Sequence, residues 1–165
     1  MNHSQNFDCV VPLAICYRHD KYHYEANQKW VKYADRIFLD RIDLQVWMHP
    51  VPTEAVARRL KAESSREVAL RVRAARLRQA ERFREEGIST NAEMSNRQSE
   101  RHCRLDDECR RTLEDIMRRT GMSLRAWFRI IKVARTIADL EGEERIRPGH
   151  ILEAAGYRLL DRGKI

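Results

Sequence analysis

The sequence predicts a mainly α-helical domain, a bundle of about four to five helices with a small strand element near the N-terminal third. Three observations predict this fold class. Beyond residue 52, apolar residues recur at helical spacing. Serine and glycine residues stand where those helices would begin and end. A single run, at residues 44–48, alternates apolar and polar side chains with a period of two and therefore indicates a strand.

The strand is the best-defined feature of the N-terminal third. In "LQVWMH", Leu44, Val46 and Met48 alternate with the residues between them, and Pro50 ends the run because proline lacks the N–H that a strand ladder needs. The first 33 residues have no clear period. Their segment "FDCVVPLAICY" is interpreted as a short strand broken by Pro12.

Two helices are predicted next. The first is "TEAVARRLKA", with Thr53 as its cap, and the second begins at Ser64, which stands at capping-box spacing from Glu67, and runs to Gly87. At about 100° per residue, the apolar residues of the second helix form two stripes with arginines between them. Two stripes predict a helix clamped between two surfaces. The stripes consist of Val68, Val72, Ala75 and Phe83, and of Leu70, Ala74 and Leu77.

The remaining chain is predicted to be a loop followed by three helices. Residues 88–104 are rich in Ser, Thr and Asn without a period and are predicted to be a loop with at most one helical turn. Residues 105–120 carry acids early and arginines late, as the helix dipole favours. Ser123 caps the next helix, which ends at Gly142, and Pro148 opens the last one.

Composition limits the location and the partners of the chain. The charged fraction is 35%, and the longest uncharged apolar run, "CVVPLAICY", is far shorter than the roughly 20 residues of a bilayer span. We therefore expect a cytoplasmic protein with no membrane partner and with four reduced cysteines. A net charge of +7 and a pI near 9.5 are compatible with DNA or with phosphate-bearing ligands.

The 165 residues contain no recognisable catalytic motif. The six glycines match neither a Walker A loop nor a dinucleotide-binding fingerprint, and no serine or cysteine has the context of a nucleophile. Metal binding is not expected. The only candidate ligands are Cys9, Cys16, His19 and His23, but six residues separate the cysteines where zinc sites usually have two to four. Core cysteines and surface histidines are the favoured interpretation.

Arginines of the long second helix are candidates for a nucleic-acid or partner surface. A guanidinium group pairs well with phosphate and carboxylate groups. The alternative is a solvated helix face on which nearby glutamates neutralise the arginines, and charge patterning alone favours that alternative. The candidates are Arg71, Arg73, Arg78 and Arg82.

Five collinear blocks resemble one known family. They are "LDRIDLQVWMHPV", "ESSREVALRVRAARLRQAERF", "TNAEM", "SLRAWFRIIKVARTIADLEG" and "IRPGHILEAAGYRLLD". Together they resemble the C-terminal part of the magnesium-chelatase-like AAA+ ATPases, in their ComM-like branch, over residues 36–165. "VARTIADLEG" preceded by "SLRAWFR" is the most specific piece.

The resemblance implies a domain organisation and two nucleotide-contacting residues. Residues 1–35 would be a divergent segment, 36–51 the end of an AAA+ α/β core, and 52–165 the helical lid domain. Arg41 is similar to the arginine finger, which reaches the γ-phosphate of ATP on a neighbouring subunit, and Arg125 is similar to the second sensor. From the residues alone, Arg41 is as well explained by an ion pair with Asp40 or Asp43, and Arg125 by a surface arginine.

The resemblance also implies a function. The chain would couple ATP state to motion in a ring, hexameric in the family, and would act in DNA processing of the branch-migration or helicase type. ATP and Mg²⁺ would be cofactors of the full ATPase, and the chain alone would have no activity because it has neither a Walker A nor a Walker B motif. One alternative is a motor-subunit module of a metal-inserting chelatase. The other is a non-catalytic helical interaction module.

Overall fold

Five α-helices dominate the part of the chain that the structure describes. This computed structural model describes residues 14–18, 42–48 and 63–158. The mainly helical fold class is confirmed. In chain order the elements are β1 (Ala14–Arg18), β2 (Leu44–Met48), α1 (Ser65–Arg82), a 3₁₀ turn (Asn91–Glu93), α2 (Asn96–His102), α3 (Asp107–Thr120), α4 (Leu124–Glu141) and α5 (Pro148–Gly156).

Helix α4 is the centre of the bundle. The Ser123 hydroxyl accepts a hydrogen bond from the backbone N–H of Ala126, and the helix ends at Gly142, whose φ of +81° suits a residue without a Cβ. Its apolar residues return every three or four positions, so one continuous face is buried against α1, α2, the 3₁₀ turn and α5. That face contains Ala126, Ile130, Ile131, Ala134, Ile137 and Ala138.

Helices α3 and α5 close the other side of the core. Asp106 caps α3 and Gly121 ends it with a φ of +64°, while Pro148 opens α5 as predicted. The two helices pack against each other around Cys109, Leu113 and Ile151, which are fully buried. At about 25 cal/mol per Å² of apolar surface, this burial is the main term that stabilises the bundle.

The clamped position predicted for α1 is wrong in the described part of the chain. The predicted capping box of Ser64 with Glu67 is present, but only Ala75 and Gln79 of the helix are buried. Helix α4 packs against the C-terminal half of α1, where Ala75 and Gln79 are buried, while residues 65–73 are all exposed. Four large apolar residues of α1 are more than a third exposed: Val68, Leu70, Val72 and Leu77.

The loop predicted at residues 88–104 contains more regular structure than expected. Helix α2 forms there, because Ser95 and Gln98 make a capping box at its start. Cys103 follows the helix and is buried against the core. This segment therefore packs under α4 and is not an open connection.

The two strands pair in parallel, from Ala14 opposite Leu44 to Arg18 opposite Met48. The predicted strand at residues 44–48 is confirmed, and its partner lies inside the segment called divergent. Parallel pairing is typical of α/β folds, since it needs a crossover connection. The predicted short helix after Thr53 lies outside the described residues.

Candidate functional site

Residues 42–45 are fastened to the helical bundle at three points. Ile42 is fully buried, and its carbonyl oxygen accepts a hydrogen bond of 2.9 Å from Nη1 of Arg158, which is itself buried. Asp43 forms an ion pair with Arg129 of α4. The backbone N–H of Gln45 donates to the carbonyl of Tyr157 at 2.7 Å. The N-terminal strand segment and the end of the bundle therefore form one continuous structure.

The segment of residues 42–45 directly follows Arg41, the first of the two predicted nucleotide-contacting residues. Arg41 lies outside the described residues, but it directly precedes the buried Ile42. The alternative interpretation of Arg41 is an ion pair with Asp40 or Asp43. Asp43 already pairs with Arg129 of α4, so Arg41 would have to share it.

Arg125 stands in the first turn of α4. It is exposed, and its side chain has no ion-pair or hydrogen-bond partner among the described residues. The backbone N–H groups of a first helical turn carry partial positive charge, so anions are favoured there. Arg129, which holds Asp43, follows Arg125 by four residues, or about 6 Å along the helix axis. Arg125 is thus one turn of helix from the ion pair that fastens residues 42–45.

A buried ionic cluster joins α1 to α4. The Asp139 carboxylate is fully buried and accepts hydrogen bonds from Nη1 and Nη2 of Arg82, at 2.8 and 2.5 Å. The side-chain amide of Asn91 donates to the same carboxylate at 2.8 Å, and Nη2 of Arg135 lies 3.1 Å from it. Arg135 also donates to the carbonyls of Glu143 and Glu144, so the cluster fixes the loop after α4.

The surroundings of Asp139 hold its carboxyl group in the charged form. Burial by itself would raise the pKa, but hydrogen bonds from Arg82 and Asn91 and the charges of Arg135 and Arg82 outweigh it. The net effect is a pKa below the usual value for aspartate. The cluster is therefore a structural junction in which two arginines hold one buried carboxylate.

The four arginines predicted as a binding surface have different environments. The structure differs from the prediction at Arg82. Its side chain turns inward to Asp139 and does not belong to the exposed face. Arg71 pairs with Glu63 at 2.5 Å, and Arg78 donates to the backbone carbonyl of Asp139 at 3.2 Å. Arg73 is exposed and has no side-chain partner in the described part of the chain. Of the four predicted residues, Arg73 is the one whose charge is fully available.

Comparison with known proteins identifies the family. Residues 62–158 match the family described as magnesium chelatase, subunit ChlI C-terminal. The chain belongs to this family. The matched region begins just before α1 and ends after α5, so the family's conserved unit coincides with the helical bundle.

Individual relatives extend the similarity beyond the family's matched region. The chain is 38% identical to the uncharacterized protein YifB of Salmonella typhimurium over 151 residues, which is 85% of this chain and 29% of the relative. It is 35% identical to the competence protein ComM of Haemophilus influenzae over 144 residues, 83% of this chain and 27% of the relative. A protein of Mycobacterium tuberculosis, Rv2897c, is 37% identical over 111 residues. The chain spans less than a third of the length of the first two of these relatives.

A cleft of about 610 Å³ lies between α1, α4 and the loop that follows α4. Arg78, Arg82 and Arg135 line it, but the rim also carries carboxylates, including Glu81 and Glu143. Each of the three guanidinium groups is already held by the Asp139 carboxylate or by a backbone carbonyl, so the cleft offers no guanidinium group without a hydrogen-bond partner.

The predicted metal candidates lie outside the side chains that the structure describes. Cys9, His19 and His23 are in undescribed segments, and for Cys16 only the backbone of β1 is described. Among the described residues, no three His, Cys, Asp or Glu side chains are arranged to hold a metal ion. No described helix is long and apolar enough to cross a membrane.

Sequence reasoning missed the residues that fasten the two parts of the site. Arg129 and Asp43 are 86 positions apart, and Arg158 is 116 positions from Ile42. The available signal was that two arginines, Arg129 and Arg135, lie within the strongly apolar pattern of α4. A charged residue near the buried face of such a helix needs a partner.

Proposed function

We propose that this chain is the C-terminal helical module of a magnesium-chelatase-like AAA+ ATPase, and that it couples ATP state to ring motion in DNA processing. Family membership supports the first part of the proposal. Relatives more than three times longer than the matched region have room for an ATPase core. ATP and Mg²⁺ would bind to that core, with this chain supplying arginines to the nucleotide.

The observation that carries the proposal is the connection between the two candidate arginines. Arg41 adjoins a segment whose backbone is held by Arg158, and Arg125 lies one turn from the ion pair of Arg129 with Asp43. A shift of α4 would therefore move Arg125 together with the segment that directly follows Arg41. A lid that senses nucleotide through Arg125 would in this way reposition the finger that Arg41 offers to a neighbouring subunit.

A fusion protein tests the ATPase half of the proposal. Residues 36–165 replace the matched C-terminal part of the Haemophilus influenzae competence protein, and ATP hydrolysis by the fusion is compared with that of the unaltered relative. We expect Arg41→Ala to lower kcat on the order of 10³-fold, as loss of an arginine finger does, and Arg125→Ala to lower it by a smaller factor. Arg97→Ala, which removes an exposed arginine without a described partner, is the matched control.

The link between the arginines is tested in the same fusion. Arg129→Asp and Asp43→Arg each break the ion pair, so each should reduce kcat with little change in KM for ATP. The double variant restores an ion pair of reversed polarity and should recover most of the rate. Full activity in all three variants would contradict the coupling, and equal activity in the Arg41, Arg125 and Arg97 variants would contradict the ATPase role itself.

A metal-inserting chelatase motor is the second candidate, and the family's description is the observation that favours it. The two functions differ in what stimulates hydrolysis. A DNA-processing module should give a fusion whose ATPase rate rises on addition of DNA. A rate that DNA leaves unchanged would favour the chelatase function.

A further inference from the structure

The exposed face of α1 carries positive charge that no described side chain neutralises. Arg66, Arg73 and Arg76 are exposed, and none has a side-chain hydrogen bond or ion pair within the described residues. The acids nearby are engaged elsewhere. Glu67 accepts hydrogen bonds from Ser64 in the capping box, and Glu81 pairs with Arg84.

These three arginines lie along one side of the helix. At about 100° and 1.5 Å per residue, Arg66 and Arg73 are within about 20° of each other and about 10 Å apart along the axis. Arg76 lies about 60° from Arg73 and extends the row to about 15 Å. At the same spacing, Arg66 and Arg73 lie about 160–180° from Ala75, the residue that packs on the bundle, and Arg76 lies about 100° from it, at the side of the exposed face.

The chemistry of the row favours phosphate groups as its ligand. A guanidinium fork matches phosphate oxygens, and three unneutralised charges on one side of a helix attract the polyanionic backbone of a nucleic acid. A bare helix is about 10–12 Å across with its side chains, which is close to the roughly 12 Å width of the major groove of B-DNA. Two exposed leucines, Leu70 and Leu77, lie beside the row and can contact the apolar parts of sugars and bases.

We propose that the exposed face of α1, defined by Arg66, Arg73 and Arg76, is the nucleic-acid contact surface of this chain. This inference deepens the DNA half of the proposed function and rests on it. It differs from the prediction made from the sequence, because ion pairs and internal hydrogen bonds occupy Arg71, Arg78 and Arg82. The contact is to the phosphate backbone and is therefore largely independent of base sequence.

The experiment measures binding of the full chain to a fluorescein-labelled duplex and to its single strand by anisotropy, over a range of salt concentrations. The test variant is the triple substitution R66Q/R73Q/R76Q. The control, R97Q/R110Q/R118Q, removes the same charge from three other exposed arginines that lack a side-chain partner among the described residues. All six positions are exposed, so both variants should fold, which circular dichroism verifies.

We expect the α1 variant to bind the duplex on the order of 10²-fold more weakly at about 0.1 M salt, with a log–log salt slope reduced by about 2.7, because three phosphate contacts are lost. The control variant should retain most of the affinity and of the slope. Equal losses in both variants would overturn the inference, because binding would then follow net charge alone. Competition by polyglutamate as strong as by DNA would also overturn it and would indicate an acidic protein partner.

The same measurement separates this inference from the proposed function. If the unaltered chain binds DNA and the α1 variant binds equally well, the assignment of the surface fails while the DNA role stands. If the unaltered chain does not bind either oligonucleotide, both the surface and the DNA role fail. The ATPase half is judged independently, by the fusion protein.

Discussion

Removing the Asp139 carboxylate should destabilise the bundle more than any surface change. In Asp139→Ala, Arg82 loses two hydrogen bonds, Asn91 loses one and Arg135 loses its ion pair. Breaking a buried ion pair by deleting one partner costs about 3–5 kcal/mol. We expect about 3 kcal/mol, because the Arg82 side chain is 17% exposed and water can partly replace the lost oxygen atoms.

Urea denaturation followed by circular dichroism measures this loss. With a slope of about 1.5 kcal/mol per M, a change of about 3 kcal/mol lowers the midpoint by about 2 M. Asp115→Ala is the control, since it deletes an exposed carboxylate that pairs with Arg119 four residues on. Such a pair contributes about 0.3–0.5 kcal/mol. A midpoint for the Asp139 variant within experimental error of the Asp115 variant would refute the argument that the cluster joins α1 to α4.

The stability difference between the wild type and Asp139→Ala should depend on pH, because the pKa of Asp139 is lowered in the folded state. A carboxylate whose pKa is lower in the folded state stabilises the fold fully above its unfolded pKa, about 3.9, and loses that effect as the pH falls through the folded value. The stability difference between the wild type and Asp139→Ala should therefore be constant between about pH 5 and 7 and shrink below about pH 4. A difference that shrinks near neutral pH would contradict this assignment.

Two further predictions concern the loop after α4 and the thiols. Gly142→Ala should lower the free energy of unfolding by about 1–2 kcal/mol, because φ is +81° and the new Cβ would lie 3.2 Å from Nη2 of Arg78. Gly149→Ala meets no atom within 4 Å and should be neutral or stabilising. Equal urea midpoints for the two variants would contradict the strain argument. Cys103 and Cys109 should resist iodoacetamide in the native protein, because burial raises the pKa of each thiol to about 12. Peptide mass spectrometry with and without denaturant measures the labelling, and equal rates in the two conditions would show that the thiols are accessible.

The sequence predicted those features of the fold that depend on neighbouring residues. The Ser64 and Ser123 caps and the Gly142 stop were visible because capping chemistry acts within one turn of helix. Helix α2 was missed, although Ser95 and Gln98 stand at capping-box spacing, because its short polar sequence has no apolar period.

Features that depend on distant residues were not predictable from local pattern. The periodicity of α1 placed Arg82 with Arg71 and Arg78, but the partner that turns Arg82 inward, Asp139, is 57 residues away on another helix. The apolar stripe of α1 that contains Leu70 and Leu77 is not covered by another element of the described chain. Periodicity shows that a stripe exists but does not show whether another element lies against it.

The hydrogen bond from Arg158 to the carbonyl of Ile42 has a consequence for the order in which the molecule assembles. Ile42 is synthesised 116 residues before Arg158, and the helical bundle lies between the two in the chain. Closing a loop of this length costs conformational entropy, and a bundle that has already formed presents Arg158 to offset that cost. We therefore expect the segment that begins at Ile42 to dock after the bundle has folded.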